Sequence, residues 1–304
     1  MNVKEVLESL GYSPKENGSS YQCTPLYRES DSLTVLSVDK NTGLWYDFKE
    51  DIGGKLEKLV KLTLKSSYED AKKYLSNKDY KDEPVNEEAE IEYVKKWPKE
   101  YLLKLNKNHY YWNKRGVSSS TLSLFEGGVT DNGRMAHRYV FPIFDEGKNI
   151  IGFSGRDLIK SDIRPKWKII GSKKDFNYPF FLNKDIIINS EQVILVESIG
   201  DMLALWENGI KNTLVVFGLK VHKKILKTLL CCSPKDIIIS FNDDSAKSFA
   251  GNNAALKTKT YLENYFDPNL IRVGLPSIGK DFGEMSKEEI DAWKKSLNIY
   301  QPAE

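Results

Sequence analysis

The chain has 304 residues, 40% of them apolar and 29% charged, which excludes a disordered chain and is typical of a globular protein. Its formal net charge of +2 excludes a protein that binds nucleic acid through the electrostatic field of its total charge, so any basic surface must be local. The three cysteines argue against a disulfide framework and suit the cytoplasm, and no apolar run reaches the roughly 18 residues of a membrane span.

Residues 1–75 are predicted to form a small first domain. Its predicted elements are a helix over 3–10, strands over 33–38 and 43–48 joined by a turn of hairpin type, and helices over 56–64 and 67–75. Residues 76–95 are polar and acidic and contain Pro84, so they have little that could pack. This segment is predicted to be a linker.

Residues 96–190 are predicted to form a basic second domain. Its predicted elements are helices over 101–112 and 118–125 and a hairpin with strands over 138–144 and 150–154. A predicted loop then interleaves basic and aromatic residues, namely Arg164, Lys166, Trp167, Lys168, Lys173 and Lys174. Composition alone favours a solvated surface loop, although such residues also bind a nucleic-acid strand by phosphate contact and stacking.

Residues 191–290 are predicted to form a third domain of the α/β class. Aliphatic runs over 193–196, 214–217, 237–241 and 270–275 alternate with helical patterns over 200–208, 221–230 and 252–265. This alternation with short connections predicts a parallel sheet covered by helices on both faces. Residues 291–304 are predicted to be a short tail.

Acidic and amide side chains follow three of these predicted strands. Glu197 comes directly after the first strand, Asn242 and Asp244 follow the third, and Asp281 follows the fourth. Ligands bind in open α/β sheets at the carboxyl ends of the strands. Oxygen ligands at that edge favour Mg²⁺, which commonly keeps phosphates as co-ligands. The pattern therefore predicts metal-assisted phosphate chemistry.

Each acid also has a purely structural interpretation. Asp201 stands in the first turn of a predicted helix, where the helix dipole favours a carboxylate, and for this residue alone the two interpretations weigh equally. Glu197 is harder to explain in that way, because a carboxylate against a buried aliphatic strand needs a partner to offset its desolvation. The coincidence at three strand ends favours a site over three unrelated turns.

These motifs resemble the Toprim domain. The resemblance rests on Glu197-x-x-x-Asp201, on Asn242-x-Asp244 and on Asp281. Upstream, the stretches 141–157 and 165–168 resemble the basic amino-terminal half of the RNA polymerase domain of bacterial-type primases. The combination covers about residues 96–290 in the right order. It is more specific than the Toprim motif alone, which topoisomerases and some nucleases also carry.

The resemblance implies a DNA primase that makes short RNA primers on single-stranded DNA from ribonucleoside triphosphates with Mg²⁺ or Mn²⁺. The residues implied to be catalytic are Glu197, Asp201 and Asp244. Those implied to bind nucleotide or template are Arg156, Lys166, Lys168 and Asn242, and those implied to bind metal are Glu197, Asn242, Asp244 and Asp281. Since the sequence has no P-loop, the implied partner is a replicative helicase in trans, and a phage-type enzyme in the host cytoplasm is expected.

The first domain is similar to the zinc ribbon of these primases, but its ligands are missing. A structural zinc needs four Cys or His ligands, and only Cys23 stands at an expected place, with Tyr27 and Asp47 near the others. We therefore predict no zinc and interpret Cys23 as a packing residue. The small sheet is then expected to be held by burial of Tyr21, Leu33, Val35, Leu44, Trp45 and Phe48.

Two alternative functions remain open at this point. A Toprim nuclease would use the same acids and metals, so the acids alone do not separate it from a polymerase. A non-catalytic DNA-binding adaptor derived from a primase is favoured by three departures from the family pattern. Asn242 replaces the first acid of an Asp-x-Asp pair, Ser198 replaces a glycine, and the zinc cysteines are lost. A further departure is Gly283, which replaces the second acid of the last loop, with Glu284 beside it.

Overall fold

The chain divides into two units in a computed structural model, which describes residues 2–30, 32, 35–47, 49–50, 52–78, 80, 94–159, 164–245, 248–277 and 281–300. The first unit comprises residues 1–91 and 259–271, and the second comprises residues 92–258 and 272–304. None of the helices in these described ranges is long and apolar enough to cross a membrane.

The first unit contains a five-stranded antiparallel sheet whose strands lie side by side in sequence order. The strands are β1 Lys15–Asn17, β2 Ser20–Cys23, β3 Leu36–Asp39, β4 Trp45–Asp47 and β5 Ile52–Gly54. The helices are α1 Val3–Ser9, α2 Leu56–Leu64 and α3 Tyr68–Ser76. The sheet thus has three more strands than the sequence predicted. Two of them lack the sequence of a typical strand, since β1 is polar and exposed and β5 ends in two glycines.

The core of the first unit is built from alternating residues of β2, β3 and β4. Leu36, Val38 and Trp45 are buried, and they pack with Tyr21 and the apolar faces of α1 and α2. The expected core residues Val35 and Leu44 are only half-buried, because the strand alternation places Leu36 and Val38 inward instead. The other two expected core residues, Leu33 and Phe48, lie outside the described residues.

The amino-terminal half of the second unit contains an antiparallel sheet with strands in sequence order. The strands are β6 Gly128–Thr130, β7 Arg138–Phe144, β8 Ile150–Asp157 and β9 Trp167–Ile170. The helices are α4 Tyr110–Asn113, α5 Ser119–Leu124 and α6 Phe180–Ser190, preceded by a 3₁₀ helix over Lys99–Lys104. The hairpin of β7 and β8 and the Ser118-capped helix α5 agree with the sequence prediction.

Two predictions for this region are wrong. Residues 101–112 do not form one helix, because Asn106 leaves the helical path and exchanges backbone hydrogen bonds with Val129 beside β6. The basic segment is not a loop, since Trp167–Ile170 form the edge strand β9 paired to β8. An edge strand is half-buried, so it carries lysines between its packed residues and lacks the fully apolar sequence of a central strand.

The rest of the second unit is built around a four-stranded sheet with strand order β11, β10, β12, β13. The strands are β10 Gln192–Val196, β11 Thr213–Val215, β12 Asp236–Ser240 and β13 Ile271–Val273. The helices are α7 Ile199–Glu207, α8 Lys223–Cys232, α9 Ala250–Leu262 and α10 Lys287–Ser296. Strand β10 pairs in parallel with β11 and β12, which confirms the predicted α/β class.

Helix α10 begins before residues 291–304, the segment expected to be a tail, and extends into its first part. It begins at a capping box formed by Ser286 and Glu289. Its inner face buries Ile290 and Trp293, and the Trp293 indole N–H donates to the Leu275 carbonyl over 2.9 Å. Burying such side chains stabilises a fold by about 1.5–3 kcal/mol each, so this segment contributes to the core of the second unit.

Candidate active site

The strands β10 and β12 end at the same edge of the parallel sheet. Val196 pairs with Ser240 as the last pair of their register. Glu197 therefore leaves β10 beside the point where the chain leaves β12 towards Asn242 and Asp244. Glu197 is half-buried, and its Oε2 atom is not accessible to solvent. The structure thus places these three polar side chains at adjoining strand ends.

Asp201 has both a structural and an electrostatic role at this edge. Its Oδ2 atom accepts hydrogen bonds from the Ser198 hydroxyl at 2.7 Å and the Ser198 amide at 3.1 Å, which completes the capping box of α7. Burial raises the pKa of Asp201 to about 7, and the carboxylates of Asp281 and Glu197 add to the rise against these hydrogen bonds. Three acids therefore repel one another here, which is an environment that a bound cation would stabilise.

The turn after β12 is held by hydrogen bonds from the beginning of α9. The Gly251 amide donates to Asp244 Oδ2 over 3.2 Å, and the Asp244 amide donates to the Asn252 side chain over 3.0 Å. A Cβ atom on Gly251 would collide with the Asn242 carbonyl oxygen, so only glycine allows this close approach. The Asp243 carboxylate accepts from the Ser245 amide and from Asn252, and so belongs to the turn.

A cavity of about 270 Å³ lies between the two sheets of the second unit. Its charged lining consists of three basic residues, Arg115, Arg156 and Lys166, and three acids, Asp201, Asp281 and Glu284. Its aromatic lining consists of Tyr111, Trp112 and Trp167. The cavity thus brings together basic groups from the antiparallel half and acids from the parallel half.

The basic side of the cavity is organised by aromatic rings. The Arg156 guanidinium lies 5.6 Å from the centre of the Trp167 ring and 5.8 Å from that of Tyr111. Arg115 also lies over the Tyr111 ring, with 3.9 Å between its guanidinium carbon and the ring centre. The aromatic rings thus hold two guanidinium groups beside the acids.

The cavity gathers some of the predicted site residues and leaves others outside. Arg156, Lys166, Asp201 and Asp281 line it, whereas Glu197, Asn242 and Asp244 stand at the neighbouring strand ends. Lys168 does not line it. In β9, Trp167 and Ile169 pack on the main core, and alternation turns the residue between them to the opposite face of the strand. Of the two lysines grouped by the sequence, Lys166, which lies just before β9, lines the cavity, and Lys168, which lies within β9, does not.

Two lining residues were missed by the sequence prediction. Tyr111 and Arg115 belong to α4 and the turn after it, which the sequence presented only as the end of a longer helix. The available signal was the basic pair Lys114-Arg115 directly before Gly116, a place where a chain turns and can present a side chain.

The donor set fits Mg²⁺ or Mn²⁺ although no ready-made cage is present. Among the described ranges, no three His, Cys, Asp or Glu side chains are grouped closely enough to form a metal site by themselves. Mg²⁺ does not need such a cage, because it is commonly bound by one or two carboxylates together with waters and phosphates. The repulsion among Asp201, Asp281 and Glu197 gives this edge the charge that such an ion requires.

Two family models match the chain. The model described as DNA primase catalytic core, N-terminal domain, matches residues 59–176, and the Toprim-like model matches residues 194–285. A DNA primase of Helicobacter pylori strain J99 is 24% identical over 86% of this chain and 54% of its own length. A DNA primase of Borreliella burgdorferi is 30% identical over 62% of this chain and 36% of its own length. The chain thus spans about half or less of these relatives.

Solved primase structures share the fold. The Aquifex aeolicus primase with its zinc-binding and RNA polymerase domains has a TM-score of 0.53 at 20% identity, over 97% of this chain and 83% of that one. A DnaG primase catalytic domain bound to single-stranded DNA has a TM-score of 0.52 at 22% identity, over 63% of this chain and 71% of that one. By sequence, the chain thus combines a region similar to the N-terminal domain of the DNA primase catalytic core with a Toprim-like region, and by structure it shares the fold of bacterial primases.

Proposed function

We propose that this chain is a DNA primase that joins ribonucleotides into short RNA primers on a single-stranded DNA template. One observation carries the proposal. Basic groups of the antiparallel half and acids of the parallel half line the same cavity, beside the carboxyl edge of the parallel sheet. Nucleotidyl transfer needs this pairing, because cations hold the triphosphate while acids activate the attacking hydroxyl.

In the reaction, the primer 3′-hydroxyl oxygen forms a bond to the α-phosphorus, and the bond to pyrophosphate breaks. Lys166 and Arg156 are the groups that we assign to the phosphates, since both present cationic heads to the cavity. We assign Glu197 to the attacking hydroxyl as the acceptor of its proton, and Asp201, Asp281 and Asp244 with Asn242 to metal binding. A bound Mg²⁺ or Mn²⁺ would neutralise charge on the transferred phosphate.

The decisive test is incorporation of labelled ribonucleotides on single-stranded DNA, with Glu197→Gln beside the unmodified chain. We expect template-dependent short RNA that falls by about 10²-fold or more in the variant, as is typical when a group that acts in the transition state is removed. Asp185→Asn is the matched control, because this exposed acid lies on α6 outside the cavity lining and should leave synthesis unchanged.

Asp201→Asn separates structure from chemistry. An asparagine side-chain oxygen can still accept from Ser198, so α7 keeps its cap while the charge disappears. We expect a folded protein with strongly reduced synthesis. Unchanged synthesis would remove Asp201 from the proposed site.

The two alternatives give different outcomes in the same assay. Metal-dependent loss of template without RNA products would favour a nuclease. DNA binding without either activity would favour a non-catalytic adaptor, which the neutral Asn242 makes a specific competitor. We further propose that the chain works with a replicative helicase encoded as a separate protein. We also propose that it acts in the cytoplasm, which is the cytoplasm of a host cell if the gene is viral.

A further inference from the structure

Two residues that stand near the expected zinc-ligand places in the sequence, Tyr27 and Asp47, belong to a buried ionic cluster. The Asp47 side chain, at the end of β4, is wholly buried. The carboxylate accepts the Tyr27 hydroxyl at 2.6 Å and both Nε and Nη2 of Arg28 at 2.9 Å. It also accepts the backbone amides of Lys49 and Glu50 at 2.9 and 3.2 Å. Five hydrogen bonds thus converge on one carboxylate.

These contacts use the lone pairs that a metal would need. A carboxylate offers about four acceptor sites, and all of them are engaged here by donors on two different segments of the chain. The Tyr27 oxygen donates its proton to Asp47 and so is not an available anionic ligand. The remaining candidate, Cys23, is buried among the apolar residues of the core of the first unit.

The cluster joins two parts of the chain that are distant in the sequence. Tyr27 and Arg28 belong to the segment after β2, and Asp47, Lys49 and Glu50 belong to β4 and the turn after it. The Tyr27 ring also packs on Trp45, with 5.9 Å between ring centres, which ties the cluster to the apolar core. Burial by itself would raise the pKa of Asp47, but the hydrogen bonds outweigh it and the pKa is lowered.

We infer that the Tyr27–Arg28–Asp47 cluster replaces a structural metal, so that the first unit folds and stays folded without zinc. The Aquifex aeolicus primase, whose fold matches over 97% of this chain, contains a domain named for zinc binding. The same fold is organised here by a carboxylate and a guanidinium. One consequence is that zinc depletion or thiol oxidation does not unfold this unit.

The first test measures metal content and chelation on the full-length chain. The purified protein is analysed for zinc, and backbone hydrogen exchange of β3 and β4 is compared before and after treatment with EDTA and with 1,10-phenanthroline. We expect zinc well below one ion per chain and no change in exchange. Stoichiometric zinc, or faster exchange of β3 and β4 after chelation, would overturn the inference.

The second test removes the cluster itself. Asp47→Asn leaves the Arg28 charge with only the exposed Glu50 carboxylate, 3.8 Å from its Nε atom, and we expect the unfolding midpoint of the first unit to fall by about 10 °C or more. Tyr27→Phe removes one hydrogen bond and keeps the ring, so it should give a smaller fall of a few degrees in a protein that still folds. Its exchange in β3 and β4 should be faster by about tenfold, which corresponds to a modest loss of local stability.

The matched control is Glu16→Gln in the same sheet. Glu16 is exposed and pairs with Lys40 at 2.9 Å on the surface, where an ion pair contributes little. Glu16→Gln should therefore leave the unfolding midpoint of the first unit unchanged. If Asp47→Asn and Tyr27→Phe were as neutral as this control, the cluster would not organise the fold.

Discussion

The Lys166 ammonium lies 3.9 Å from the Asp281 carboxylate, and this pair spans the cavity from the antiparallel half to the parallel half of the second unit. Lys166 is largely exposed and Asp281 is mostly buried. The pair is therefore weak as a source of stability, because one member remains in water. Its position suits a lysine that exchanges the carboxylate for an incoming phosphate.

Lys166→Ala is expected to raise the KM for ribonucleoside triphosphates by about 10-fold to 100-fold with little loss of stability, since a lost charged hydrogen bond to a phosphate costs about 1.5–3 kcal/mol. Lys168→Ala is the matched control, because it removes the same charge two residues away, at a position that does not line the cavity. Steady-state primer synthesis with varied nucleotide concentration would measure both. Equal effects of the two variants would contradict the assignment of Lys166 to the site.

Arg156→Lys is expected to impair nucleotide binding nearly as much as Arg156→Met. Arg156 is held by two aromatic rings, and its Nε atom is buried. A lysine keeps the charge but loses the planar stacking on Trp167 and Tyr111, so the head would no longer be positioned. Isothermal titration with a non-hydrolysable triphosphate would test this. Full rescue by lysine would show that charge alone matters.

Gly251→Ala is expected to destabilise the turn that carries Asn242 and Asp244, because the new methyl group would meet the Asn242 carbonyl. Overpacking of this kind costs about 1–3 kcal/mol. Asn253→Ala is the control, since Asn253 is exposed on the same helix α9. Thermal unfolding and primer synthesis would be measured together. A neutral result in both would mean that the helix can shift without cost.

Lys58 is expected to make the first unit more stable at high pH. Burial lowers the pKa of Lys58 to about 8, with a smaller contribution from Lys61. Between about pH 8 and the ordinary value of 10.5, the unfolded chain binds more protons than the folded one, so stability rises with pH. Lys58→Met should remove this rise and raise the free energy of unfolding at pH 7 by on the order of 1–3 kcal/mol. Urea titrations at pH 7 and pH 9.5 would measure both effects.

The parallel sheet and its strand ends were predictable because buried parallel strands have uninterrupted aliphatic sequences. The runs at 193–196 and 237–241 stand out for this reason, and both coincide with strands to within one residue. Helix α7 was predictable for a different reason, since Ser198 and Asp201 form a capping box that appears directly in the sequence.

Two other elements, α6 and β9, could not be predicted because their sequences lack a single pattern. Helix α6, Phe180–Ser190, has apolar residues on several sides and no capping side chain at its beginning. Strand β9 alternates packed aromatic and aliphatic residues with a lysine, which is equally the composition of a surface loop. The cavity itself depends on how the two sheets of one unit pack together, and no local stretch of sequence predicts that packing.

The hydrogen-bond register of β8 and β9 decides which charges reach the cavity. Arg156 pairs with Trp167, and this pairing leaves Lys166 just before the strand and Lys168 just after its first residue. A deletion of one residue within β9 would exchange the inward and outward positions, so that a lysine would replace the ring that supports Arg156. The site should therefore accept many single substitutions in this strand but almost no change in its length, a constraint that sequence libraries of this region would make directly visible.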